Sequence, residues 1–206
     1  MRDHPATIDI FRAVLEAHER PNRLLRTGDI MRPPLKVPYV VDNLWEWVRP
    51  ECYPSRRFSA FASPQPDLAK EQGAKEGGVY RVEFRGHRRI CQLKGYRNAK
   101  DHPDCISLPI FLFERLGDEW LRRSLECKNQ VGRLWIPTLS KAEIGSLFQE
   151  SSELAVLSEA LRTSIRFWED VELIDEEHPV MDAEGELFFE APDGYFLRPL
   201  ISCAVS

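Results

Sequence analysis

Short runs in which apolar and polar residues alternate predict a protein rich in β-strands. Two pairs of these runs flank turn signals, Gly86-His87 in the first pair and Pro192-Asp193-Gly194 in the second, and each pair predicts a β-hairpin. Another run begins with β-branched and aromatic residues, which suit a half-buried strand. The predicted strands are residues 39–45, 58–64, 79–84, 89–93, 171–174, 186–191 and 195–201.

Apolar residues recur every three or four positions in the N-terminal segment and through the middle of the chain, which predicts amphipathic helices. These helices cover residues 5–19, 67–74, the second half of 106–125, 140–148 and 153–168. Ser140, with Glu143 three residues later, forms a capping box for one of them. Strands on both sides of a helical middle predict an α+β fold. We expect a single domain over residues 1–206, with an N-terminal helix and a helical insertion at about residues 106–168.

Composition limits the cellular compartments in which the protein is expected and the kinds of site that it is expected to contain. The chain has 206 residues, of which 43% are hydrophobic, and this is enough for a sizeable core. It contains no signal peptide and no apolar run long enough to span a membrane, so we expect a cytoplasmic protein without a membrane partner. The five cysteines are scattered and lack zinc-ligand spacing, which predicts reduced thiols and no metal site.

Charge is distributed unevenly along the chain. The net charge of −5 gives no overall signature of nucleic-acid binding. A local group of basic residues nevertheless lies between positions 81 and 97, and it comprises Arg81, Arg85, His87, Arg88, Arg89, Lys94 and Arg97. This stretch indicates either the solvated face of two strands or a local surface for RNA or DNA.

Side chains that are able to bind a polar ligand are most concentrated between residues 37 and 66. This segment contains the run Pro54-Ser55-Arg56-Arg57-Phe58-Ser59-Ala60-Phe61-Ala62-Ser63. In a strand, the hydroxyls of Ser59 and Ser63 point to the same face, and an arginine supplies a planar fork of donors that suits phosphate. A short strand with hydroxyls on one face, entered through an arginine-bearing corner, predicts a site for a polar ligand.

The sequence PSRRFSAFAS resembles the arginine-serine strand of proteins with the ADP-ribosyltransferase fold. In that family an early strand carries an Arg, His or other polar residue that contacts NAD. A second strand carries a Ser/Thr-rich motif at the nicotinamide pocket, and a late strand carries a catalytic Glu. Residues 39–45 are interpreted as the first of these strands, and residues 185–190, GELFFE, as the third. The resemblance implies the split β-sheet core of that fold and an NAD-dependent ADP-ribosyltransferase, with NAD as co-substrate.

The resemblance also implies roles for individual residues. Glu186 is the candidate catalytic carboxylate, because it opens an apolar strand. Glu190 is the second candidate, on the same face of the strand and about 13 Å away at ~3.3 Å per residue. Arg56 or Arg57 would hold the phosphates, while Ser59 and Ser63 would line the nicotinamide pocket. The full set of NAD-binding candidates is Tyr39, Asp42, Asn43, Arg56, Arg57, Ser59, Ser63 and Tyr80, the last stacking on nicotinamide.

A small single-domain member of this family resembles toxins of bacterial toxin–antitoxin and anti-phage defence systems. That resemblance implies that a macromolecule is modified and that a protein antitoxin or complex partner exists. The basic stretch favours RNA or DNA over protein as the substrate. The alternative function is a non-catalytic binding or regulatory module of such a complex. One feature separates the two hypotheses, because a transferase requires Glu186 beside the serine-bearing strand.

Overall fold

The computed structural model describes residues 9–16, 18–29, 31–73, 76–122, 125–175 and 182–200. These residues divide into two compact units. The first unit combines segments from residues 1–30, 52–98 and 171–206, and the second combines residues 31–51 and 99–170. The predicted helical insertion falls inside the second unit.

Strands and helices are numbered in chain order over the described residues. The strands are β1 (Phe11–Val14), β2 (Ala60–Ala62), β3 (Gly78–Phe84), β4 (Arg89–Leu93), β5 (Val171–Ile174), β6 (Glu186–Glu190) and β7 (Tyr195–Pro199). The helices are α1 (Tyr39–Val48), α2 (Pro66–Gln72), α3 (Asp104–Arg122), α4 (Leu125–Gly132), α5 (Lys141–Glu150) and α6 (Ser152–Ser164). The protein is therefore of the α+β class.

The first unit contains two antiparallel sheets. One sheet has the strand order β1-β3-β7, and the other has the order β2-β6-β4-β5. A bridge connects the two sheets at the end of β2, because Phe11 and Ser63 each donate a backbone N–H to the other's carbonyl oxygen at 2.8 Å. The serine that follows β2 is thereby held against β1.

The core of the first unit is a cluster of apolar side chains from both sheets. Alternate residues of each strand contribute, as expected for strands whose side chains point to opposite faces in turn. The buried members are Ile10, Val14, Ala60, Ala62, Tyr80, Val82, Ile90, Ile174, Leu187, Phe189, Ala191, Tyr195 and Leu197. The other face of the four-stranded sheet carries Glu186, Phe188 and Glu190 of β6, with Phe61 of β2 directly opposite Phe188. We call this the Glu186 face.

The second unit is helical and contains α1 and α3 to α6, joined in part by short 3-10 turns. Ser140 accepts a hydrogen bond from the backbone N–H of Glu143, and the Glu143 carboxylate accepts one from the N–H of Ser140. The predicted capping box at the start of α5 is confirmed. Gly117 interrupts α3 with a φ of 59°, a conformation that glycine adopts without the steric penalty of a Cβ atom.

Two elements predicted near the N-terminus are of the wrong type. Residues 11–14 of the predicted helix form β1, which pairs with β3 from Phe11 to Val14; residues 5–8 of that prediction lie outside the described residues. Residues 39–45, predicted as a strand, belong to α1. Backbone pairing with β3 overrides the helical spacing in the first case. In the second, the buried residues Val40, Val41, Leu44 and Trp45 follow the period of a helix.

The two predicted hairpins are wrong in their pairing although their strands exist. β3 pairs with β1 and β7, whereas β4 pairs with β5 and β6. In the same way β6 and β7 follow one another along the chain but lie in different sheets. Each short turn therefore carries the chain from one sheet to the other instead of folding a strand back on its neighbour.

Other predicted elements agree with the structure. The strand at residues 171–174 is β5, and the short helix after the serine run is α2. The helix predicted at 153–168 is α6, which ends earlier, at Ser164. None of the helices in the described ranges is both long enough and apolar enough to cross a bilayer.

Candidate active site

Pairing of β2 with β6 brings the predicted serine run and the predicted glutamate strand together. Ala62 lies opposite Leu187 in the antiparallel register. One step further along both strands, Ser63 and Glu186 therefore occupy facing positions. The placement of Glu186 beside the serine-bearing strand is the feature that a transferase site requires.

Arg56 holds the Glu186 carboxylate. Its Nη1 donates to Oε1 of Glu186 at 2.5 Å, and only 11% of the Arg56 side chain and 8% of the Glu186 side chain are exposed. The guanidinium carbon lies 4.9 Å from the ring centroid of Phe61 and 5.1 Å from that of Phe188. Contact with the faces of aromatic rings stabilises a cation, most strongly where water is excluded. The Glu186 face thus carries a carboxylate whose orientation is fixed by a cation that itself lies against two aromatic rings.

Glu190 has a different role on the same face. Its carboxylate accepts the backbone N–H of Ser55 at 2.8 Å and a second hydrogen bond from Arg89. The first of these bonds fixes the backbone immediately before Arg56. Glu190 therefore supports the corner that carries Arg56, whereas Glu186 binds the Arg56 side chain.

Both serine hydroxyls are engaged in internal hydrogen bonds. Ser59 donates to the carbonyl oxygen of Ser55 at 2.7 Å, which closes the turn before β2. Ser63 donates to Oε1 of Gln72 at 3.0 Å, and Nε2 of Gln72 donates to the carbonyl oxygen of Arg97 at 2.6 Å. Ser63 is thus linked through α2 to the segment that follows β4. Of the two serines, Ser63 is the one that faces Glu186 along the strands.

Hydrogen bonds hold the segment before β6 in place, and they fix the position of Glu186 at the start of that strand. Asp182 accepts the backbone N–H groups of Gly95 at 2.6 Å and Glu184 at 2.9 Å. Gln92 donates to the carbonyl oxygen of Asp182 at 2.5 Å. Partial burial raises the pKa of Asp182, but backbone N–H groups that favour the carboxylate outweigh this, so that its pKa lies below the ordinary value.

Replacing Asp182 by asparagine is expected to lower the free energy of unfolding by about 1 kcal/mol at neutral pH, after allowance for solvent screening. A group whose pKa is lowered by folding stabilises the protein above its unfolded pKa, about 3.9 for Asp, and loses that contribution as pH falls through the folded value. Urea unfolding of both proteins should therefore show a difference at pH 7 that shrinks below about pH 4. A difference of equal size at both pH values would contradict this account.

One other predicted residue of the first unit, Tyr80, lies away from the Glu186 face. Tyr80 lies on β3 within the core cluster, and its hydroxyl donates to Glu16 at 2.6 Å. This hydrogen bond, with burial, raises the pKa of Tyr80. Stacking of Tyr80 on a nicotinamide ring at Glu186 is therefore a wrong prediction. Arg57 is buried, whereas its neighbour Arg56 binds Glu186, as alternation of adjacent side chains leads one to expect.

Tyr39, Asp42 and Asn43 lie on α1 in the second unit rather than on a strand. The side-chain amide of Asn43 donates to the carbonyl oxygens of Leu134 at 2.7 Å and Ile136 at 2.8 Å. Asn43 therefore ties α1 to the turn that follows α4. Asp42 is buried and Tyr39 is half-exposed at the start of the helix. The early strand that was predicted to carry these residues does not exist.

Arg12 is a buried charged residue of the first unit that the sequence interpretation missed. It lies on β1, is almost completely buried, and donates to the carbonyl oxygen of Phe61 on β2 and to both carboxylate oxygens of Glu19. Among the described residues, no acceptor is found for its Nε–H. The signal that points to it is an arginine inside the apolar run Ile10-Phe11-Arg12-Ala13-Val14, where alternation competes with helical spacing.

Comparison of the chain with protein-family models, with curated proteins and with solved structures gave no significant match. The physical support for a function therefore comes from the geometry of the Glu186 face. That geometry combines a buried ion pair, two flanking aromatic rings and a serine at the end of the neighbouring strand.

Proposed function

We propose that the chain is an NAD-dependent ADP-ribosyltransferase whose reaction centre forms on the Glu186 face. The observation that supports this best is the pairing of the glutamate strand β6 with the serine-bearing strand β2, with Arg56 bound to Glu186. β1, β2 and β6 also follow the chain order of the polar, serine and glutamate strands that the resemblance implies. Arg12 on β1 takes the place of the early polar residue that was sought in residues 39–45.

The reaction breaks the bond between the anomeric carbon of the ribose and the nicotinamide nitrogen, and it forms a bond between that carbon and the acceptor atom. Nicotinamide leaves with the electron pair of the broken bond, and the transition state has oxocarbenium character. A carboxylate beside the ribose stabilises the positive charge that develops there. The same carboxylate accepts hydrogen bonds from ribose hydroxyls and takes the proton of the incoming nucleophile.

Glu186 is the residue to which we assign this role. Its position in a largely water-excluded setting strengthens its electrostatic effect on a nearby cation. Arg56 acts as a positioning residue, because its hydrogen bond fixes the orientation of the carboxylate. The exposed ring of Phe61 provides apolar surface beside the ion pair for a flat, weakly polar group such as nicotinamide, and the buried ring of Phe188 supports Arg56 from within the fold.

Transfer of label from biotinylated NAD tests the proposal directly. The full chain is incubated with total cellular protein, RNA and DNA, and each polymer is then isolated and probed for biotin. We expect label on one class of polymer, and we expect NAD to raise the midpoint of thermal unfolding. Absence of label on every polymer, together with no thermal shift by NAD, would overturn the transferase and leave the non-catalytic binding module as the better hypothesis.

The proposed activity brings further expectations that follow from the family resemblance. A transferase that modifies cellular macromolecules acts as a toxin inside a cell, and a protein antitoxin or complex partner is then expected to restrain it. Both expectations depend on Glu186. Expression of the chain is predicted to arrest growth, and the Glu186→Gln chain, expressed to the same level, is predicted not to; arrest by both chains would indicate a toxicity unrelated to the Glu186 face.

A further inference from the structure

Two arginine-bearing segments meet at the turn between β6 and β7. Arg85 donates its backbone N–H to the carbonyl oxygen of Gly194 at 2.9 Å. Leu25 exchanges two backbone hydrogen bonds with Tyr195, both of 2.9 Å. Because Tyr195 pairs with Phe84 on one side and with Leu25 on the other, the segment around Leu25 and the turn after β3 flank the start of β7 on its two sides, about 10 Å apart at roughly 4.8 Å per strand spacing. We call the side chains that this arrangement gathers the basic surface, and it comprises Arg23, Arg26, Arg85, His87 and Arg88.

The turn that carries three of these residues is structurally defined. Gly86 has a φ of +70°, and a Cβ atom there would lie 2.4 Å from the Asp193 carboxylate. The same carboxylate accepts the backbone N–H of His87 at 2.7 Å. The guanidinium carbon of Arg88 lies 5.4 Å from the ring centroid of Phe84, which itself packs against Phe189 of the core. The backbone of the turn is therefore held in one conformation, which lowers the conformational cost of presenting its basic side chains to a ligand.

All five side chains of the basic surface are exposed. Within the described part of the chain, none of them forms an ion pair with a carboxylate, and the nearby Asp193 is engaged with a backbone N–H. The remaining basic residues between positions 81 and 97 differ in this respect. They pair with acids: Arg81 with Asp9, Arg89 with Glu190, Lys94 with Glu172 and Arg97 with Glu184. The positive charge of that stretch is thus concentrated at the turn.

The basic surface lies at one end of the strand that begins with Glu186. At that end, which is the one remote from Glu186, the backbone N–H of Ala191 donates to Oγ1 of Thr27, next to Arg26. Glu186 and Glu190 are separated by four residues, about 13 Å at ~3.3 Å per residue. Consecutive phosphates of one strand in a duplex are about 3.4 Å apart along the helix axis, so this length corresponds to roughly four base steps.

The composition of the surface favours one class of partner. Its four strong cations are arginines, whose planar forks match phosphate oxygens. Among the described residues, the large apolar side chains that are exposed all lie outside positions 18–29 and 84–90. A membrane would need apolar side chains to insert, and a protein interface has an apolar or aromatic centre. A phosphodiester backbone requires only the cations.

We propose that the basic surface docks a nucleic-acid strand through its phosphates and thereby presents that strand to Glu186 as the acceptor. The inference rests on the proposed transferase function and gives it a substrate class. Because the chain as a whole carries a net charge of −5, binding depends on this local concentration of cations. Loss of two of the arginines should then remove most of the affinity.

The docking step is tested without NAD by measuring the affinity of the chain for labelled RNA, single-stranded DNA and duplex DNA, each about 30 nucleotides long, by fluorescence anisotropy. The measurement is repeated at salt concentrations from about 50 to 200 mM. The variant Arg85→Gln/Arg88→Gln is expected to bind its preferred nucleic acid at least about tenfold more weakly and to reduce the slope of log affinity against log salt by about 1.4 to 1.8. The control Lys94→Gln/Arg97→Gln removes the same charge from ion-paired positions, and its affinity should stay within about twofold of the wild type.

Three results would overturn the inference: no binding of any nucleic acid by the wild type at about 50 mM salt, equal losses in the two double variants, or tighter binding to vesicles of phosphatidylserine and phosphatidylcholine. The Glu186→Gln chain is expected to bind nucleic acid like the wild type. Binding of nucleic acid without label transfer and without a thermal shift by NAD would refute the proposed function and leave the docking surface intact. Label transfer that does not depend on Arg85 and Arg88 would refute the docking surface and leave the transferase intact.

Discussion

Replacing Glu186 by glutamine is expected to lower the rate of label transfer from NAD by about 100- to 1000-fold. The amide can still accept a hydrogen bond from Arg56, but it no longer supplies the negative charge that stabilises an oxocarbenium-like transition state. It also cannot take a proton from the nucleophile. The initial rate of biotin incorporation, measured on the polymer labelled by the wild type, checks the expectation.

Glu190→Gln is the matched control, because it makes the same chemical change on the same face of β6. Glu190 accepts the N–H of Ser55, and an amide oxygen can replace the carboxylate in that bond. We expect transfer within about threefold of the wild type, since no charge at the reacting carbon is lost. Thermal unfolding of both variants shows how much of each chain is folded at the assay temperature. Equal losses of transfer in two equally folded variants would refute the assignment of Glu186.

Predictions from local sequence patterns agree with the structure where the contacts that matter join residues a few positions apart. The capping box of Ser140 and Glu143 is a bond between residues three positions apart, and α5 starts where it predicts. The serine run became β2 with Ala60 and Ala62 buried and Phe61 exposed, as alternation predicts. These features depend on neighbours along the chain, so the sequence pattern contains what is needed to find them.

Predictions failed where the structure of a segment depends on packing or pairing with residues far away in the sequence. A turn of two or three residues between alternating runs normally folds a hairpin, yet here β3 pairs with β1 and β7 while β4 pairs with β5 and β6. Nothing in Gly86-His87 distinguishes a turn within one sheet from a turn between two sheets. In the same way, the β-branched pair Val40-Val41 favours a strand locally, but burial of Leu44 and Trp45 on the same face places it in α1.

For the candidate site, three of the predicted residues lie on or next to two strands that pair, β2 and β6. Ser63 and Glu186 occupy facing positions because β2 and β6 pair, and Arg56, in the turn before β2, binds Glu186. Alternation along one strand does not show which strands will pair. Arg12 was missed because its strand also fits a helical pattern. The residues assigned from 39–45 were misplaced along with their strand, since Asn43 serves to hold α1.

The second large expected effect concerns the buried carboxylate of Asp104 in the second unit. It accepts hydrogen bonds from Nε1 of Trp45 at 2.9 Å and from the backbone N–H groups of Arg166 at 3.1 Å and Phe167 at 3.0 Å. Its own N–H donates to Nδ1 of His102 at 3.2 Å, so Nε2 of that ring carries the proton that points to Asp170. Asp104 and His102, each about 1% exposed, thus form a buried polar centre of this unit.

Asp104→Leu is expected to lower the stability of the second unit by at least about 3 kcal/mol, because it leaves three buried N–H donors without an acceptor. Asp104→Asn is the matched control. It keeps one carbonyl oxygen for these donors, and we expect a loss of about 1 to 2 kcal/mol. All five tryptophans belong to residues 31–51 and 99–170, so the intrinsic fluorescence of tryptophan during urea unfolding reports this unit. Equal unfolding midpoints for the wild type and the leucine variant would contradict the role of Asp104.

The same variants separate the stability of the second unit from the chemistry of the first. Burial raises the pKa of the Cys91 thiol far above its ordinary value, so the thiol reacts with iodoacetamide only when the sheet around it opens. Labelling of Cys91, measured by peptide mass spectrometry, therefore reports the first unit while fluorescence reports the second. Because Glu186, Arg56 and Ser63 all lie in the first unit, transfer activity should follow the protection of Cys91 across the Asp104 variants. Activity that is lost while Cys91 stays protected would mean that the second unit supplies groups the reaction needs.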